Sequence, residues 1–179
     1  MSDTSGLRMF MMRSAFVLLA LCILLGNILP LQTLPRGWGG PDVLLGFALA
    51  WSVRRPDYVP LGLLAVVFLT ADFLLQRPPG LAAALMLLAV ADLQTRTRIL
   101  RDAGFAAEWA RAALLIVGIA IVQHTVLFIL LVDVPSLGLL IFQTALTAAI
   151  YPICVALSAG LMGVRMTSPG DLDGFGQRT

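Results

Sequence analysis

The chain contains no lysine, one histidine and two cysteines, and only 12% of its 179 residues are charged. Each scarcity removes a class of function. With a single histidine and no Cys-x-x-Cys or His-Glu-x-x-His spacing, a metal centre is not expected, because zinc sites take three or four protein ligands. No Gly-x-Ser-x-Gly or Walker-type stretch occurs, and no pair of carboxylates in contrasting environments can be drawn. A nucleophilic triad, a phosphate loop and an acid–base pair are therefore not expected. A net charge of +2 is too small to suggest a nucleic-acid partner. Cys22 and Cys154 lie inside apolar runs, where they read as small packing residues. Catalytic residues, metal ligands and cofactors are all expected to be absent.

Apolar sequence is abundant. Hydrophobic residues make up 59% of the chain and its mean hydropathy is +0.94. Runs near the length of a membrane span recur. The first, Ser14 to Leu31, follows Arg8 and Arg13; it lacks a small-x-small cleavage site and reads as a retained helix rather than a signal peptide. Further runs cover Pro41 to Val53, Tyr58 to Leu75, Leu81 to Leu93, Ala112 to Val132 and Leu137 to Val164. The expected organisation is a cytoplasmic N-terminus over 1–13, a six-helix transmembrane domain over 14–164 and a disordered cytoplasmic tail over 165–179. The segment between Arg101 and Arg111 is a candidate interfacial helix.

Two runs are short. The thirteen residues of the second and of the fourth span about 20 Å as helix, against a hydrocarbon core of about 30 Å. The Gly/Pro-rich backbone before them, Arg36 to Pro41 and Arg77 to Gly80, must complete their crossing, which it can do only where protein or water covers it. Orientation follows from arginine. With the N-terminus inside, six helices leave ten arginines on the cytoplasmic side, Arg54 and Arg55 among them, and two, Arg36 and Arg77, outside. That asymmetry favours N-in and C-in. The expected fold is all-α and integral to a membrane, six helices in three hairpins with helices two and four short.

Polar residues interrupt the apolar runs. Asp72 sits late in helix three, one turn before Arg77. An intramembrane carboxylate suggests either chemistry, such as a proton relay or ion site, or a polar clasp. Its outer-third position and the want of further titratable steps along helix three favour the clasp. Arg77, or N–H groups at a neighbouring helix start, would hold it, and Gln76 lies four residues on. Asp42 stands where a helix-capping carboxylate belongs. Asp133 joins the same outer cluster. Gln123 and His124 in helix five, and Gln143, Thr144 and Thr147 in helix six, read as interhelical hydrogen-bonding residues. Pro152 removes a backbone hydrogen bond from helix six. Asp92 reads as a helix end beside a cytoplasmic basic face of Arg96, Arg98 and Arg101.

In order along the chain stand Pro41-Asp42 opening helix two, Trp51 and then Arg54-Arg55-Pro56 closing it, Asp72 late in helix three, Pro79-Gly80 before helix four, and Tyr151-Pro152 in the last helix. Their order and spacing resemble the rod shape-determining protein MreD family over roughly Ser14 to Gly163. The turn before Gly80 departs from the family, reading Arg-Pro-Pro where a more apolar turn is expected. The resemblance implies a non-enzymatic subunit of the bacterial cell-elongation machinery in the inner membrane. Its partners would be MreC, the MreB filament, RodA and the transpeptidase that works with RodA. Asp42, Arg54, Arg55, Pro56, Asp72, Gly80 and Pro152 are the matching positions, with Arg77 added by the polar cluster. The same resemblance extends to the six-helix substrate-binding subunits of energy-coupling-factor transporters. The alternative reading is accordingly a small-solute carrier subunit with an outer pocket near Trp38, Asp42, Asp72, Gln76 and Arg77.

Overall fold

The computed structural model describes residues 3–29, 40–96, 104–132, 134 and 136–162. These form six α-helices: α1 (Asp3–Ile28), α2 (Val43–Arg54), α3 (Leu61–Leu74), α4 (Leu81–Thr95), α5 (Phe105–Ile129) and α6 (Leu137–Met162), with one 3₁₀ turn, Pro56–Tyr58. No strand occurs among the described residues. Residues 6–28 of α1, all of α5 and residues 137–160 of α6 are long and apolar enough to cross a membrane. They also expose apolar side chains outward, among them Leu18 and Leu25 on α1, Leu114, Ile121 and Phe128 on α5, and Ile141 and Ile153 on α6. An aqueous surface would not favour that much contiguous apolar area. The chain has the build of a membrane protein.

The buried positions explain why these segments are helical. On α3 they are Leu64, Val67, Phe68, Ala71 and Asp72, and on α4 Ala82, Ala83, Met86, Ala89, Val90 and Leu93. Both follow the i, i+3, i+4, i+7 stripe of one helical face. α2 has no such stripe, because every residue from Leu44 to Val53 is buried. A helix that is apolar all round belongs in the interior. It packs chiefly on α6 and α4 and less on its sequence neighbour α1, while α3 packs on α4 and α5 on α6. Contacts run from Asp42 to Thr147 and from Trp51 to Ser158, so α2 and α6 lie parallel. They approach closely where a Cβ on Gly46 would stand 3.1 Å from the Cys154 sulfur. Small residues at such a contact let two helices meet in an apolar medium.

Several boundaries differ from those read in the sequence. α1 starts at Asp3, so the stretch assigned to a separate N-terminus is helical. The third helix is short as well: Pro56 opens a 3₁₀ turn and Pro60, in extended conformation, precedes Leu61. A helix there would need the N–H groups that proline lacks. The suggested interfacial helix merges from Phe105 into α5, with no break before the apolar run. Arg36, Trp38, Gly39, Arg98, Arg101, Asp102, Asp133, Arg165, Arg178 and the tail 165–179 lie outside the described residues.

Candidate functional site

The expected polar residues gather at the two ends of α2. At its start, Asp42 caps the helix: Oδ1 accepts the Leu45 N–H at 3.0 Å, and the Asp42 N–H donates to Thr147 Oγ1 on α6 at 3.0 Å. The next helix but one has no cap of its own, since Gly80 precedes Leu81 and has no side chain. Asp72 supplies it from α3. Its Oδ2 accepts the Gly80 N–H at 2.9 Å and faces the Ala83 N–H at 3.5 Å. One fully buried carboxylate thus ties the end of α3 to the start of α4 through donors that the helix itself leaves unpaired. Asp72 Oδ1 has no hydrogen-bond partner among the described residues.

The turn between these helices explains the rest of the cluster. The Arg77 N–H donates to the Asp72 carbonyl at 2.9 Å and the Gln76 N–H to the Phe73 carbonyl at 3.3 Å, the double closure of a Schellman helix end. Gln76 holds the left-handed position at φ 54 and is exposed, so it does not share a helical face with Asp72. The guanidinium of Arg77 does not hold Asp72 either. It lies 3.6 Å from Asp42 Oδ2, with the two side chains 34% and 28% exposed. Of the two holders expected for Asp72, the neighbouring helix start is the one observed. Gly80 is required for its φ of +90 rather than for space, since a Cβ there would meet only Leu69 Cδ2 at 4.0 Å. A side chain rarely adopts that conformation.

At the other end of α2, Arg54 Nη2 donates to Glu108 Oε2 at 3.1 Å, and the Tyr151 hydroxyl donates to Glu108 Oε1 at 2.8 Å. Glu108 is 1% exposed and Arg54 12%. This acid links α2, α5 and α6. The sequence reading gave it no role within the segment between Arg101 and Arg111; its signal was that Glu108 is the only glutamate in the chain, one turn ahead of an apolar run. Trp51 joins α2 to α6 through Ser158 Oγ at 2.9 Å and packs on Phe16 of α1 at 5.3 Å between ring centroids. Arg55 lies over the Tyr58 ring at 5.8 Å, and Arg13 of α1 donates to the Asp57 carbonyl at 3.0 Å. Asp92 pairs with Arg96 at 3.0 Å and with Arg111 on α5, so it joins two helices besides ending α4.

Pro152 has a partner that the sequence did not suggest. Proline leaves the carbonyl four residues earlier without its helical donor. That carbonyl, Ala148, accepts the Trp109 indole N–H at 2.9 Å, and α6 continues through Pro152 to Met162. Glu108 and Trp109, adjacent on α5, therefore grip α6 at Tyr151 and at Ala148, within the turn that precedes Pro152.

Of the residues expected to bond between helices, Thr147 on α6 does so by accepting the Asp42 N–H, whereas Thr144 bonds within its own helix and Gln123, His124 and Gln143 do not clasp helices in the way expected. Only the threonines make side-chain hydrogen bonds among the described residues. All five line a pocket of about 240 Å³ that also reaches Asp42 and Arg77. No group of three or more potential metal ligands occurs among the described residues. Compared with family models, curated proteins and solved structures, the chain matches none.

Proposed function

We propose that the protein is a non-enzymatic subunit of the bacterial cell-elongation complex in the inner membrane. It binds MreC and helps couple the MreB cytoskeleton to peptidoglycan synthesis, with RodA and its partner transpeptidase reached directly or through MreC. The observation that carries this reading is how Asp72 is used: its carboxylate is committed to the start of α4. The other positions behind the MreD resemblance act in the same manner. Asp42 caps α2, Pro56 stops it, Arg54 clasps it to α5, and Pro152 turns a free carbonyl towards Trp109. Side chains spent on holding a helical frame suit a protein whose product is a surface for partners.

The proposed topology has six spans with both termini inside, α2, α3 and α4 being short crossings of which α2 is enclosed on all sides. Support comes from the arginines. Arg13, Arg54, Arg55, Arg96 and Arg111 are drawn into one polar end through Asp57, Glu108, Tyr58 and Asp92, whereas Arg77 pairs with Asp42 at the opposite end of α2. A single polarity of this kind follows the positive-inside rule. A cytoplasm-dependent reporter should work after Arg55 and fail after Arg77; activity at Arg77 would overturn the topology.

Capture of MreC from solubilised membranes tests the function. Wild-type protein should retain MreC in mild detergent, while Asp72→Asn should insert normally, capture less MreC and disturb cell shape without changing solute uptake. A second reading, a solute-carrier subunit, is favoured by the pocket at the start of α2. It prevails if Asp72→Asn abolishes binding of a small metabolite while MreC capture stays intact.

A further inference from the structure

The pocket beside Asp42 contains more hydrogen-bonding capacity than the protein uses. Asp42 gives Oδ1 to the Leu45 N–H and turns Oδ2 to Arg77, and the Thr144 hydroxyl donates to the Leu140 carbonyl at 2.7 Å. The side chains of Gln123, His124 and Gln143 have no hydrogen-bond partner among the described residues, although all three are half-buried and line the cavity. They lie on α5 and α6, two of the three long helices whose outward faces are apolar. An amide or imidazole edge turned into a cavity within such a bundle is costly unless the cavity's occupant completes it.

The composition of the wall specifies that occupant. Two carboxamides each offer a donor beside an acceptor, a neutral imidazole offers one of each, and Arg77 adds N–H donors. The cation and the anion of the pocket face each other at 3.6 Å and cancel, so an incoming ion would be desolvated with no net countercharge to meet it. The rest of the lining is apolar, including Phe68, Ile116 and Leu140. A volume of about 240 Å³ lies just below the range of about 300–1,000 Å³ usual for ligand sites. It suits a small solute and not a helix or an acyl chain. We propose that this pocket binds a small uncharged solute with an apolar body and a carboxamide, lactam or urea edge. Gln123 and Gln143 pair with that edge, and Arg77 donates to its carbonyl.

The single histidine makes the test specific. Ring-¹⁵N-labelled histidine in protein held in lipid nanodiscs reports on His124 alone. Benzamide and benzoate serve as probes because they match in size and differ in charge. Benzamide should shift the imidazole signals saturably, and benzoate should bind about tenfold more weakly or not at all. Gln123→Leu with Gln143→Leu should weaken benzamide by about tenfold or more while the helical signal is retained. A linear, non-saturating response to benzamide, equal binding of benzoate, or undiminished binding by a folded double variant would each overturn the proposal. The wild-type comparison decides the matter even if the double variant fails to fold. Because the readout involves no partner protein, its failure is separate from any failure of MreC capture.

Discussion

α2 has an acid–base pair at each end, and the two are built to opposite specifications. At the start, Arg77 and Asp42 stand 3.6 Å apart and each is about a third exposed; Asp42 is already occupied as a helix cap. At the end, Arg54 and Glu108 stand 3.1 Å apart with the acid 1% exposed, and Tyr151 takes the second carboxylate oxygen. An exposed pair gains little, about 0–1 kcal/mol, so the first can open for a ligand at small cost. A buried pair cannot lose one member without stranding the other. Burial and a third partner, not the charges, separate a loose pair from a rivet. The tight end joins α2, α5 and α6, and the loose end borders the pocket.

The largest effect is expected at the tight end. Glu108→Ala should cost about 3–5 kcal/mol, because Arg54 is left buried and unpaired. Unfolding in mixed micelles measures it, and a loss under about 1 kcal/mol would make the two ends equivalent. Replacing Arg54 and Glu108 together by Met should cost less than the sum of the single changes. Tyr151→Phe removes one donor and leaves a buried carboxylate oxygen unsatisfied, for about 1–3 kcal/mol in the same assay. At the loose end the backbone matters more than the charge. Gly80→Leu imposes a side chain at φ +90 and should cost about 1–2 kcal/mol, with Asp72 losing its alignment on the start of α4. Arg77→Gln should change stability by less than about 1 kcal/mol; a larger loss would show that this pair, too, is a rivet.

Much of the helical frame was legible from the residues, for local reasons. Six apolar runs predicted six helices, and Asp42 before Val43 predicted a cap that is observed. The same local logic missed the shortness of α3, although Pro56 and Pro60 were in plain view, because hydropathy continued across them. It also paired Asp72 with Arg77 by sequence proximity, whereas the left-handed Gln76 turns Arg77 away towards Asp42. Glu108 escaped because its partners stand 54 residues before and 43 residues after it. No periodicity links positions so far apart.

Composition and hydropathy by themselves determined that this chain is helical and suited to a membrane. The medium makes that so, since an apolar run without water must satisfy its own backbone. Proline likewise determined where α2 stops, and glycine where the left-handed turn before α4 falls. Only the tertiary structure decided which helix is central, that Asp72 caps a helix other than its own, that Trp109 completes the carbonyl freed by Pro152, and which polar side chains were left facing a cavity. Those outcomes depend on which surfaces meet. A hydrogen bond between side chains of different helices is fixed by packing geometry, which no local stretch of sequence contains.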